Sequence, residues 1–359
     1  MPSMLTLAVD RADLRASQVI EQPLPDLTDG QVLVHVDRFA LTANNITYAE
    51  TGDSIGYWGF FPGPAGWGVI PVWGFAEVVA SRCDGVAAGQ RFYGFWPAGS
   101  HLVLQPQRVG GAGFVDGAPH RQALPAAYNR YLLTGADASY RPEDEDLIAL
   151  LRPMFVTSFL IDDFLDDEGF FGARQVVISS ASAKTAFGLA FLLKRRGTAE
   201  VIGLTSASNR AFVAGLGCYD QVVAYDDLTH VPSATPAVYV DFAGSAELRH
   251  RVHAHWGDRL VYSSAVGLAH RDLGRAKVPA AGVKPVFFFA PDRLRKRAQD
   301  WGRDGIEPRL AEQWRPFVGA ASGWLAVTHD RGSAAVQAAY AQALAGQVPP
   351  SVGVVLSMD

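Results

Sequence analysis

The sequence predicts an α/β protein in two parts, a small β-barrel-type domain followed by a doubly wound parallel-sheet domain. Three observations carry that reading. The first third holds short alternating stretches at close spacing, separated by turn residues. After residue 147, strand-like apolar runs alternate with helical patterns, as in a parallel sheet with crossover helices. Within that region, Val176, Val177 and Ile178 form a buried-strand run that passes through small polar residues into an apolar helix. A second strand, Glu200 to Leu204, begins about twenty residues after the turn, the spacing of an opening βαβ unit.

Size and composition agree with two packed domains. The chain has 359 residues, more than one hydrophobic core usually organises. It is 49% hydrophobic and 19% charged, the balance of a well-packed globule. A formal net charge of −5 supplies no basic field, which argues against nucleic acid as a partner. Cys83 and Cys218 are too few for a disulfide framework or a four-thiolate zinc site, and read as free thiols in a reducing cytosol. The first ten residues lack the basic start and apolar core of a signal peptide. No apolar run approaches the roughly 20 residues that span a bilayer. These features predict a soluble, cytoplasmic protein without a membrane partner.

The elements follow in order. Residues 31–37 alternate at period two behind the turn Thr28-Asp29-Gly30. Ile70 to Ala80 gives another strand, and residues 84–90 carry a turn into a short strand around Phe92. Residues 98–104 read as one more. Residues 106–145 are the least regular part and read as an insertion, with the acidic run Glu143 to Asp146 as a solvated patch. A helical pattern runs from Leu147 through Met154, Phe155, Phe159, Leu160 and Phe164. Strands are expected at 175–179, 200–204, 221–224, 237–241, 259–263 and 285–289. A last helix, Ser333 to Leu344, precedes a terminal strand, Val352 to Leu356.

The opening βαβ unit has the form of a dinucleotide site, where a helix N-terminus offers N–H groups to a pyrophosphate. The glycines of such a turn are absent: Ser180, Ala183 and Ala186 stand in their places. Ser180, Ala181, Ser182 and Ala183 are still small enough for a fairly close approach. Ser180, Ser182 and Thr185 add hydroxyl donors and Lys184 a positive charge. The alternative is a Ser/Thr N-cap for a helix 185–195 with no ligand. A triphosphate loop would need glycine at 178 and 183, where Ile178 and Ala183 stand. At the end of the second strand, Thr205, Ser206, Asn209 and Arg210 replace the acidic residue of an NAD site. Hydroxyls, an amide and a guanidinium suit a ribose 2′-phosphate, which predicts NADP(H). The alternative is that Arg210 is only an exposed helix residue. Ser263 and Ser264 end a later strand and are further candidate contacts.

The order of these parts resembles the medium-chain dehydrogenase/reductase superfamily over nearly the whole chain. Residues 22–36 look like its opening proline–glycine turn and strand. Gly74-Phe75-Ala76-Glu77-Val78 with Gly89-Gln90-Arg91-Phe92 looks like its "G-x-x-G-x-V … G-D-R-V" section, with Gln90 for the usual Asp. The resemblance extends to zinc-free quinone-oxidoreductase-like and enoyl-reductase-like branches, and more closely to a branch known mainly as a domain of unknown function. It implies a GroES-like catalytic domain (1–146), a Rossmann nucleotide-binding domain (147–290), a C-terminal return (291–359) and a homodimer. It also implies that Asp241 and Phe242 lie near the nicotinamide ribose, although Asp241 reads equally as a helix cap. Thr157 matches a threonine near the nicotinamide. Phe288, within Phe287-Phe288-Phe289, matches the segment that returns beside it, or forms an edge-strand core.

Zinc-dependent members of the superfamily place a Cys and a Gly-His-Glu in the first domain. Here Ala40 to Tyr48 has no Cys, and Val72-Trp73-Gly74-Phe75 stands in the second position. His253 and His255 lie on a helical stretch and read as solvated surface. The chain therefore reads as metal-free. Without zinc, a carbonyl must be polarised by hydrogen-bond donors. Zinc-free relatives place polar substrate residues, including a tyrosine in enoyl reductases, where Asn44, Asn45 and Tyr48 fall. Tyr48 is then the donor or proton source, with Asn44 and Asn45 as orienters or as turn formers. Tyr57 to Pro62 and Trp67 wall an apolar pocket or form a core patch. The expected function is an NADPH-dependent reductase of an apolar carbonyl, quinone or activated alkene. A non-catalytic NADPH-binding sensor on the same fold is the alternative. A hydrolase ranks last, since no G-x-S-x-G turn is present.

Overall fold

The computed structural model describes residues 3–267, 282–302 and 305–359. In chain order the first elements are β1 (Ser3–Asp10), β2 (Ser17–Pro23), β3 (Val32–Leu41), α1 (Ala43–Glu50), β4 (Trp67–Val69) and β5 (Pro71–Ser81). Then come β6 (Arg91–Pro97), β7 (His101–Leu104), β8 (Pro106–Gly110), β9 (Gly113–Asp116), β10 (Arg130–Leu133) and α2 (Glu145–Asp167). The middle of the chain forms β11 (Gln175–Ile178), α3 (Lys184–Arg196), β12 (Glu200–Thr205), α4 (Arg210–Gly215), β13 (Gln221–Ala224) and β14 (Ala237–Asp241). Next are α5 (Ala246–Trp256), β15 (Leu260–Ala265), β16 (Val286–Phe287), α6 (Ala290–Trp301) and α7 (Ile306–Ala321). Last are β17 (Ala326–Arg331), α8 (Ser333–Leu344) and β18 (Val352–Ser357).

Two compact units result. The first comprises Met1–Arg152 with Leu325–Asp359, the second Pro153–Trp324. The sequence-based boundaries lay at 146/147 and 290/291, so α6 and α7 stand in the second unit rather than in the returning segment.

The first unit is a GroES-like β-structure. Its main sheet runs β17-β18-β3-β5-β6-β10-β9-β8, with β7 also on β3, beside a smaller sheet β2-β1-β4. Side chains such as Leu7, Val34, Phe39, Val72 and Trp96 fill its core. Segment 106–145 is not an irregular insertion, because it supplies β8, β9 and β10 to the sheet. It folds around a buried ion pair, Arg121 with Asp116 at 3.0 Å, and Arg121 also donates to the Tyr131 hydroxyl at 2.7 Å. The acidic run at 143–146 is only half solvated. Glu145 is buried and receives Arg91 at 2.6 and 2.8 Å, while Asp146 meets Arg38 and His329.

The second unit is a Rossmann domain. Six parallel strands run β13-β12-β11-β14-β15-β16, the 3-2-1-4-5-6 order of doubly wound dinucleotide folds. The sequence expected all six. Residues 176–178 are wholly buried, as expected of a strand covered by helices on both faces. This order reverses direction beside β11, so the crevice at its carboxyl end is the natural ligand position.

Candidate functional site

The turn after β11 builds the first site. Ser180 has φ +47°, a left-handed backbone that serine takes at a cost of about 1 kcal/mol and glycine takes freely. The serine thus holds a glycine's conformation at the place the sequence marked. Its amide donates to the Tyr225 hydroxyl at 3.2 Å. Ala181 is not a ligand donor: its N–H bonds Leu204 O at 3.0 Å, and its carbonyl accepts from the Tyr219 hydroxyl at 2.8 Å. Its methyl packs on Gly203, where a β-carbon would lie 3.0 Å from Ala181 Cβ. The glycine missing from the turn is therefore found in the strand beneath it.

Helix α3 starts at Lys184 with Ala183 as its N-cap and no side chain capping it. The Ser/Thr-cap alternative is not realised. The amides of Thr185 and Ala186 have no acceptor among the described residues, so the positive end of the helix is open to an anion. Lys184 is half-buried, and burial pushes its ammonium down to about 8. Ser158 Oγ donates to Thr185 O at 2.7 Å, fixing α2 against this turn, with half-buried Thr157 as its neighbour. Close packing there rests on Gly188, where a β-carbon would come 2.8 Å from Ser158 Oγ.

The end of β12 faces the same turn. Asn209 Nδ2 donates to Ser182 Oγ at 3.2 Å, and Ser206 and Ser208 share a hydroxyl bond at 3.0 Å. Arg210 opens α4, exposed and without an ion pair among the described residues. Thr205 is buried at 1% exposure, which removes it from the expected set. Sequence reasoning missed Tyr225. Tyr225 follows the apolar run of β13, and its position directly after a strand end was the available signal.

The later strand ends correct several expectations. Asp241 is neither a helix cap nor open to a ligand. Its carboxylate is buried and accepts from Ser179 Oγ at 2.9 Å, the amides of Ala243 and Gly244 at 3.1 Å, and Arg249 Nε at 2.9 Å. Phe242, half-buried, gives its amide to Ser179 Oγ at 3.0 Å. Ser263 is fully buried and bonds His253 Nε2 at 2.9 Å, so His253 is core rather than solvated surface. Ser264 is also fully buried, and its hydroxyl has no partner among the described residues. Phe288 is half-buried against Phe164, 5.9 Å between ring centres.

The first unit carries a second candidate centre. Thr42 caps α1, and the Asn45 side chain returns the bond: Asn45 Oδ1 accepts from Thr42 N at 2.7 Å while its Nδ2 donates to Pro71 O at 2.8 Å. Asn45 is thus consumed by the fold and not available as an orienter. One turn on, Tyr48 is buried in an aromatic cluster. Tyr57 lies 4.5 Å from its ring, Phe95 5.5 Å and Tyr128 6.4 Å. The Tyr48 hydroxyl accepts from Asn44 Nδ2 at 2.7 Å and from Trp73 Nε1 at 3.1 Å. Burial, with Tyr57 adding to it, raises the Tyr48 phenol well above its ordinary value despite those two donors. It is therefore protonated at neutral pH, with both lone pairs engaged and one proton to give. Tyr57 and Tyr128 share a hydroxyl bond at 2.9 Å and are likewise raised by burial. The sequence missed Tyr128 and the donor role of Trp73. Among the described residues, no three His, Cys, Asp or Glu side chains gather as a metal-binding group, and no helix is long and apolar enough to cross a membrane.

A GroES-like domain joined to a Rossmann domain of this strand order is the two-domain fold of the medium-chain dehydrogenases/reductases. Residues 39–349 match the family described as a protein of unknown function (DUF2855), and the chain belongs to that family. No curated protein matches it. Solved structures share its architecture end to end. CurA from Vibrio vulnificus, in complex with NADPH, is 13% identical with TM-score 0.64, over 100% of this chain and 99% of that one. A mutant enoyl thioester reductase from Candida tropicalis is 11% identical with TM-score 0.60, over 99% and 100%. The quinone oxidoreductase from Coxiella burnetii is 14% identical with TM-score 0.57, over 100% of both chains. At these identities the likeness is one of fold.

Proposed function

We propose that the chain is a metal-free, NADP(H)-dependent reductase of an apolar carbonyl, quinone or activated alkene. The observation that carries this reading is the uncapped start of α3 behind a left-handed Ser180, in a sheet whose strand order places ligands there. The cofactor fits these residues: open amides of Thr185 and Ala186 and the Ser182 hydroxyl suit a diphosphate. Ser206, Asn209 and exposed Arg210 suit a 2′-phosphate. Fold neighbours support it, among them CurA, solved with NADPH.

A bound reduced nicotinamide would supply a hydride. Tyr48 serves the acceptor: with both lone pairs held by Asn44 and Trp73, its hydroxyl is left to donate to an oxygen on which negative charge grows. A phenol held neutral by burial acts as donor and not as base. Asn44 and Trp73 act as positioning residues. The metal-free reading rests on the residues at the ligand positions, where Trp73 stands in place of the histidine and Ala40 to Tyr48 lacks a cysteine.

A homodimer in the cytoplasm completes the reading. Among the described residues β16 is the edge of the second unit's sheet, and Val286 within it and Phe289 after it are exposed. The test is a titration of the purified protein with NADPH and NADH, followed by NADPH oxidation against a panel of quinones, enones and apolar aldehydes, with and without chelator. Preferential NADPH binding with chelator-insensitive turnover is expected. Binding without turnover of any acceptor would favour the sensor reading, and no binding of either nucleotide would overturn both.

A further inference from the structure

Tyr128 reaches the aromatic cluster of the first unit from a segment outside every strand. Residues 117–129 join β9 to β10 through two short helical turns, Pro119–Arg121 and Ala126–Asn129. Leu124 and Tyr128 are its inward side chains, packed on Tyr48, Tyr57, Phe60 and Phe95. The Tyr128 ring stands 4.8 Å from Phe95, 5.3 Å from Phe60 and 5.9 Å from Trp73. It meets the Tyr48 ring edge-on at 6.4 Å. Leu124 lies over two glycines, where a β-carbon at Gly59 would come within 3.3 Å of it and one at Gly56 within 3.4 Å. Gln122, Ala123, Ala126 and Ala127 face outward.

This segment is held as a wall. Arg121 is buried within it, donates to Phe60 O at 3.0 Å and to the Tyr131 hydroxyl at 2.7 Å, and pairs with Asp116 at 3.0 Å. Its own carbonyl receives Asn129 Nδ2 at 3.1 Å, and its guanidinium lies 4.6 Å over the Phe61 ring. Breaking a buried pair of this kind is strongly destabilising, so the segment does not swing aside at low cost. Ring contacts of these lengths leave no room for a further ring between Tyr128 and Tyr48. An acceptor therefore meets the Tyr48 hydroxyl only with its oxygen leading.

We propose that Tyr128, backed by Leu124, is a specificity-determining residue that restricts the acceptor to a small, flat molecule with an unhindered carbonyl oxygen. A single-ring quinone without substituents beside its oxygens, or a short enal, fits this description. Groups flanking the oxygen meet the fixed Tyr128 ring before the oxygen reaches the phenol of Tyr48. The inference rests on the reductase reading above, with Tyr48 as donor, and narrows its substrate class.

The test measures kcat/KM for unsubstituted benzoquinone and for tetramethylbenzoquinone with NADPH, and the melting temperature of each protein as a control. Comparing variants by the ratio of the two acceptors cancels the difference in their reduction potentials. Wild-type protein should favour the unsubstituted ring, and Tyr128→Ala should raise the relative kcat/KM of the tetramethyl ring about ten-fold or more. Leu124→Ala should move the ratio the same way by a smaller factor, and is read alone if Tyr128→Ala does not fold. Tyr128→Phe should keep the wild-type ratio, because the ring and not its hydroxyl forms the wall. A ratio that neither alanine variant moves would overturn the inference while wild-type turnover left the reductase reading standing. A shift in Tyr128→Phe as large as in Tyr128→Ala would assign the selection to the hydroxyl and overturn it equally. Wild-type protein that binds NADPH and reduces no acceptor would overturn the reductase reading, and this inference with it.

Discussion

The methyl group of Ala181 lies over Gly203, so closely that a β-carbon at 203 would meet Ala181 Cβ at 3.0 Å and the Tyr219 ring at 2.7 Å. A nucleotide turn usually carries its own glycine; here the space is made one strand away. Gly203→Ala should therefore act as an overpacking substitution and destabilise the second unit by about 1–3 kcal/mol. The strain falls on Ala181, which is tied to Leu204 and Tyr219, so nucleotide affinity should fall with it. Ala181→Gly introduced into Gly203→Ala should recover part of the lost stability, since it removes one of the two clashes. Denaturant unfolding of the three variants measures this, and strictly additive effects would disprove the contact's role.

Arg210 is exposed at the head of α4, two residues beyond the Ser206–Ser208 hydroxyl pair and next to Asn209, which reaches Ser182. If it grips a 2′-phosphate, Arg210→Ala should weaken NADPH by about ten-fold or more and leave NADH unchanged, the loss of one charge-assisted fork. Because the side chain packs on nothing in the core, stability should stay within about 0.5 kcal/mol. Paired titrations of both nucleotides check this. Equal losses, or none, would return Arg210 to the role of an ordinary surface residue.

Lys184 gives the site a pH dependence with a definite sign. Burial lowers its ammonium to about 8, and only the protonated form attracts a phosphate. NADPH affinity should be flat in mild acid and fall as the pH rises through about 8, with a limiting slope of about ten-fold per pH unit. Lys184→Arg keeps its charge throughout this range and should flatten the profile, while Lys184→Met should bind weakly at every pH. Isothermal titration between mildly acidic and mildly alkaline buffers reads the effect. A profile unchanged by Lys184→Met would separate the lysine from the nucleotide.

What could be read from the sequence follows from what a pattern encodes. β11 to β16 were legible because strands covered on both faces read as continuous apolar runs. Helix α6 was not, because its buried side chains are Arg293 and Arg297, held by Asp163 on α2. A hydropathy pattern counts such residues as surface. The same blindness made segment 106–145 look irregular, since its fold is organised by Arg121 and Asp116. At the site, residue types at the β11 turn showed where donors gather. They did not show direction: Asp241 and Asn45 turn inward to serve backbone amides, cap and ion pair. Tyr225, Tyr128 and Trp73 come to their partners from remote parts of the chain, and no local spacing announces them.

Tyr48 and Trp73 allow the proposed chemistry to be separated from packing. The Tyr48 hydroxyl is the one group that both Asn44 and Trp73 address, and its ring is locked among Tyr57, Phe95 and Tyr128. Tyr48→Phe keeps the ring but leaves the N–H groups of half-buried Asn44 and Trp73 without their acceptor, a cost of about 1–3 kcal/mol each where water cannot replace it. It should lower kcat by about a hundred-fold or more if the phenol donates to the reacting oxygen, with NADPH affinity retained. Trp73→Phe removes one of the two donors to the phenol and spares the phenol itself. It should reduce kcat by a smaller factor and leave the protein folded, because the aromatic contact with Tyr93 persists. The order Tyr48→Phe below Trp73→Phe below wild type, read from single-turnover NADPH oxidation, is the expected outcome. Full activity in Tyr48→Phe would show that the aromatic cluster is only a core, and would move the proton source elsewhere.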